Sequence, residues 1–108
     1  MNGGEALSYE ILTDVTTTVA SEAISVGSNN KAFQVKGSTS SGAGAASVVV
    51  EVSNNPAWPW ITLATISLTL GAAETSDGVV MLAGWKWVRI RVASVSGTGA
   101  KVSASVGV

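Results

Sequence analysis

Hydrophobic and polar residues alternate with period 2 along most of this chain, the pattern of strands with one buried and one exposed face. It is clearest near the C-terminus. In Trp85-Lys86-Trp87-Val88-Arg89-Ile90-Arg91-Val92, Val88, Ile90 and Val92 share one face, and Trp85, Trp87, Arg89 and Arg91 share the other. After Ser96-Gly97-Thr98-Gly99 the chain returns as Ala100 to Val106, with Val102, Ala104 and Val106 on one side and Lys101, Ser103 and Ser105 on the other. The spacing predicts a C-terminal β-hairpin over Gly84 to Val108 with a four-residue, glycine-containing connection.

Other strands follow from the same rule. Tyr9 to Leu12 reads as a first short strand, and Thr13 to Ile24 favours extended structure because its β-branched residues lose side-chain freedom in a helix. Phe33 and Val35 point inward from Ala32 to Lys36. From Ala46 to Ser53, Val48, Val50 and Val52 face one way and Ser47, Val49, Glu51 and Ser53 the other. Ile66, Leu68 and Leu70 alternate with Ser67 and Thr69, and Val79 to Leu82 is a short strand. Between them, Gly27 to Asn30 and Ser53 to Pro56 read as turns, Gly37 to Gly44 as a flexible connection and Gly71 to Gly78 as a polar loop.

No stretch of ten residues carries a 3.6-residue apolar period, so helices are not expected. The fold class predicted is all-β: a two-sheet antiparallel β-sandwich, jelly-roll or Ig-like, of about 7–8 short strands. Residues 1–8 read as a flexible arm and 9–108 as one domain, since a chain of 108 residues holds a single core.

Composition then narrows the function. Only 12% of residues are charged against 46% hydrophobic, with a mean hydropathy of +0.41. No apolar run approaches the ~20 residues that span a bilayer, so the apolar excess is expected to face protein, not lipid. Six basic residues against seven acidic ones give a net charge of −1, a poor footprint for a nucleic-acid partner. Met1-Asn2-Gly3-Gly4-Glu5 has neither a basic nor an apolar leader region, so no signal peptide is expected.

The catalytic inventory is thin. With no His and no Cys, the commonest general base, nucleophile pair and transition-metal ligands are missing, and no cofactor is expected. A glycosidase works with two acids about 5–10 Å apart, but nothing in the spacing of Glu5, Glu10, Asp14, Glu22, Glu51, Glu74 and Asp77 selects a pair. Gly42-Ala43-Gly44 and Gly97-Thr98-Gly99 join strand to strand, whereas a phosphate cradle needs a helix N-terminus behind it, so both read as turns. An enzyme is not expected.

Four tryptophans stand in two i, i+2 pairs, Trp58 with Trp60 and Trp85 with Trp87. Trp60 begins the run into Ile61 and Leu63 and reads as core, whereas Trp58, between Pro56 and Pro59, belongs near a loop tip. Such a pair on a β-sandwich serves as a sugar-stacking platform, an interface anchor or core. Trp85 and Trp87 with Arg89 and Arg91 make either a structural cap, with the arginines paired to Glu51 or Glu10, or an interface stripe. The candidate interface residues are therefore Trp58, Trp85, Trp87, Arg89 and Arg91.

Ser53-Asn54-Asn55 followed by Trp60-Ile61-Thr62-Leu63, then Gly84 to Val92, then Val95-Ser96-Gly97-Thr98-Gly99-Ala100-Lys101-Val102, resembles small all-β virion proteins of tailed bacteriophages. The match covers about residues 15 to 108. The resemblance implies a non-enzymatic virion component assembled in the host cytoplasm: a capsid decoration or cement protein bound to the major capsid protein and itself a dimer or trimer, with no nucleic-acid or membrane partner expected from the charge and the short apolar runs. Its size favours decoration over a neck, tail or fibre role. A small carbohydrate-binding module is the alternative.

Overall fold

The structure is a computed structural model that describes residues 8–25, 30–82 and 85–107. Among these residues the elements are all strands: β1 (Ser8–Val15), β2 (Val19–Ala20), β3 (Ile24–Ser25), β4 (Asn30–Ser38), β5 (Ser41–Ser53), β6 (Ile61–Leu70), β7 (Thr75–Leu82), β8 (Trp87–Thr98) and β9 (Lys101–Gly107). One sheet has the order β1-β9-β4-β7, and the other β2-β8-β5-β6 with β3 also on β8.

The pairing is nested. β1 pairs with β9, β2 and β3 with β8, β4 with β7, and β5 with β6, all antiparallel. The chain thus forms one long ribbon, whose tip is the β5–β6 hairpin. Wrapping that ribbon brings β4 beside β9 and β5 beside β8, which completes two sheets. This is jelly-roll order, so of the two sandwich types left open by the sequence the Ig-like one is excluded.

Between the sheets lies the core. Phe33 and Val35 of β4, Val48, Val50 and Val52 of β5, Val88, Ile90 and Val92 of β8, and Val102, Ala104 and Val106 of β9 are all buried on the inner faces. Removing each larger side chain from water contributes about 1.5–3 kcal/mol, the main force holding the sheets together.

Several boundaries differ from expectation. The glycine turn at 96–99 is present, with Ala100 N–H donating to Gly97 O, and with φ of +118° at Gly97 and +63° at Gly99. It joins consecutive strands as a hairpin turn does, and it also carries the chain across the sandwich: β8 hydrogen-bonds β5 in one sheet, β9 its neighbours in the other. Gly37 to Gly44 is not a flexible connection. Only Thr39 and Ser40 separate β4 from β5, and Thr39 N–H donates to Gly71 O (2.9 Å) and Ser40 N–H to Thr98 O (2.9 Å). The two glycine motifs meet at this corner, where a Cβ on Gly44 would lie 2.3 Å from Ser96 O. The polar loop after Gly71 ends at Glu74, because β4 supplies a partner for every residue from Thr75 onward. Ser8 already belongs to β1; the rest of the expected arm lies outside the described residues, as do Gly27 to Asn29, Gly84 and Val108.

Candidate functional site

The β8–β5 ladder sets Arg89 opposite Glu51, Arg91 opposite Val49, and Trp87 opposite Ser53. Because Val88, Ile90 and Val92 are in the core, their alternates Trp87, Arg89 and Arg91 stand on the outer face beside Glu51. Arg89 Nε donates to Glu51 Oε1 at 2.8 Å and Arg91 Nε to Oε2 at 3.3 Å. One carboxylate, 8% exposed, therefore holds two guanidiniums. A lone surface pair contributes about 0–1 kcal/mol, but a shared acceptor orders both side chains together and leaves one positive charge uncompensated.

Trp60 completes the cluster. Arg89 Cζ lies 4.5 Å from the centroid of its ring, a cation–π contact. This corrects the expectation of a core Trp60. The β5–β6 ladder shifts register between Val50 and Glu51, so that Ala64 faces Val50 whereas Thr62 faces Glu51. Before the shift Leu63 packs inward, and Trp60 and Thr62 point out; after it Ile66 and Leu68 are the inward residues. The signal was in the sequence, as the change from odd-numbered to even-numbered apolar positions between Leu63 and Ile66.

At the ribbon's tip, the loop between β5 and β6 is tied by its own polar groups. Ser53 Oγ donates to Asn55 O (2.6 Å), Ala57 N–H donates to Asn55 Oδ1 (2.9 Å), and Trp58 N–H donates to Asn55 O (3.0 Å). Lys86 N–H reaches Asn54 Oδ1 at 3.4 Å, which fastens the loop beside the start of β8. So constrained, the loop presents Trp58 at 65% exposure, with Ile61 at 48%.

The five candidate residues do not all converge. Trp87, Arg89 and Arg91 form the outer ladder, with the Trp58 loop at its end. Trp85 instead packs, half-buried, against the core. Neither i, i+2 pair presents two open indoles: Trp58 is exposed while Trp60 lies under Arg89, and Trp85 and Trp87 are both half-buried. A flat two-ring sugar platform is therefore not formed by either pair.

On the opposite sheet, Glu10, Gln34, Lys36, Ser103 and Ser105 line a shallow hollow of about 300 Å³. Its long side chains are engaged at the rim, Gln34 Nε2 donating to Ser76 Oγ (2.9 Å) and Lys36 Nζ standing 3.7 Å from Glu74. Among the described residues no group of acids is placed to hold a metal ion, and no helix is long and apolar enough to cross a membrane.

No protein-family model and no curated protein matches the chain. Among solved structures it is similar to the crystal structure of the SPBc2 prophage-derived protein YomS, with a TM-score of 0.58 over 95% of this chain and 91% of that one. The two share a fold. At 18% identity the likeness extends no further than that.

Proposed function

We propose that the protein is a non-enzymatic structural component of a phage particle, a capsid decoration protein that docks on the head shell in the assembled virion. The observation that carries this reading is Trp58: an indole 65% exposed on a loop braced by hydrogen bonds, at the end of a ladder in which two arginines are fixed on one carboxylate. Trp and Arg are the residues most enriched at binding hot spots, and a side chain already held in place loses less entropy on docking. The partner is the major capsid protein, presenting an apolar pocket for Trp58 and acidic groups for Arg91. The jelly-roll fold, shared with a prophage-derived protein, supports a phage setting.

The test is co-sedimentation with head shells assembled from the major capsid protein of the same phage. Saturable binding is expected, weakened roughly 30-fold by Trp58→Ala if the indole is a hot spot worth about 2 kcal/mol. Binding to purified tails and not to shells would move the protein to a neck, tail or fibre role. Binding to neither would sink the reading.

A further inference from the structure

A sheet edge is a row of unpaired backbone donors and acceptors, and sandwiches normally interrupt, charge or cover theirs. Three of the four edges here are treated in that way. β1 carries Glu10 and Asp14 and undergoes two register shifts against β9. The strand on the far side of β8 is broken into β2 and β3. β7 carries Asp77 and Gly78. β6 is the least protected: its 10 residues, ITLATISLTL, hold no charge, proline or glycine, and after one register shift near its start, between Thr62 and Ala64, its ladder with β5 is unbroken from Ala64 to Leu70.

The direction of its free groups follows from two hydrogen bonds. Thr69 O accepts from Thr75 Oγ1 at 3.2 Å, and Ala45 O, on the residue paired with Thr69, accepts from Ser96 Oγ of β8 at 3.5 Å. These two carbonyls point away from each other. Since backbone groups alternate along a strand, Thr65, Ser67 and Thr69 aim their N–H and C=O off the open edge. The Thr69 carbonyl keeps a second lone pair for another donor.

We propose that β6 pairs antiparallel with β6 of a second copy, about a two-fold axis through Ser67. That register sets Ser67 against Ser67, Thr65 against Thr69 and Ile66 against Leu68, so polar residues stay on the outer face and apolar ones on the inner face in both copies. Cross-strand hydroxyl pairs of this kind are favourable, and a two-fold contact is self-complementary. The joined sheets become one continuous sheet. The dimer is independent of the docking reading, because it needs no partner but a second chain.

Light scattering behind a sizing column, on the full chain alone, is the test. The expected mass is twice 10.8 kDa, falling to that of a monomer in Ser67→Lys with the circular dichroism of the wild type. The chain has no cysteine, so Ser67→Cys adds a single thiol at the axis. Directly paired residues lie about 5.5 Å apart, within disulfide range, so oxidation should link that variant into a covalent dimer even if Ser67→Lys folds poorly. A monomeric wild type, a trimer, or a dimer that survives Ser67→Lys and gives no Ser67→Cys cross-link would overturn the proposal. Shell binding is measured separately, so failure here leaves the docking reading standing.

Discussion

Lys31 is a charge at a position where the alternation calls for an apolar side chain. It lies in phase with Phe33 and Val35 on β4 and is 1% exposed. Burial pushes its ammonium below the usual lysine range. Between that lowered value and the ordinary ~10.4, the unfolded chain binds more protons than the folded one, so stability rises with pH across this window. Below the lowered value both states are protonated and Lys31 contributes no slope. The melting temperature of the wild type should therefore rise relative to Lys31→Met as pH approaches 10.4; a pH-independent difference between the two would refute this. Ser21 bears on stability differently. It sits in the break between β2 and β3, where its Oγ accepts from Ile90 N–H at 2.9 Å while its own N–H donates to Ile90 O at 2.8 Å. Ser21→Ala should cost about 1–3 kcal/mol in urea unfolding by leaving a buried donor unpaired, and an unchanged midpoint would show that another group replaces the hydroxyl. At this scale the sequence was partly legible. Alternation puts Glu51, Arg89 and Arg91 each on the outer face of its strand, but choosing Glu51 over Glu10 requires knowing that β5, not β1, lies beside β8.

Among elements, β5 and β8 are the two-faced strands that the alternation predicts, because Val48, Val50 and Val52 of β5 and Val88, Ile90 and Val92 of β8 fill one side without interruption. The connection before β5 departs from the expected flexible loop for a physical reason. Gly37, Gly42 and Gly44 resemble a flexible composition, yet small residues also mark places where two backbones approach closely. Gly44 distinguishes the two meanings. A methyl group there meets Ser96 O at 2.3 Å and Thr39 Cγ2 at 2.9 Å, whereas one on Gly71 meets nothing within 4 Å. Gly44→Ala should destabilise by about 1–3 kcal/mol through overpacking, and Gly71→Ala should be close to neutral. Equal melting temperatures for the two variants would mean that the corner is slack. β7 starts at Thr75 and not at Val79 as the alternation predicts, because Thr75 to Gly78 is exposed and polar, so its strand character comes from pairing with β4 and leaves little trace in hydrophobic period.

For the whole molecule, the sandwich was legible but its wiring was not. Period and turn spacing report faces and lengths locally, while nested pairing joins residues such as Ser8 and Gly107 that no local pattern connects. That pairing has a mechanical side. Ser8 and Gly107 lie opposite each other at the same end of β1 and β9, and the hydrogen bonds between antiparallel strands run perpendicular to them. Tension applied across these two residues therefore meets the bonds one pair at a time, as in opening a zipper, instead of shearing the whole ladder at once. The domain is a weak link when pulled at these two positions. Load is better carried through the broad faces of the sandwich, where many side chains share it.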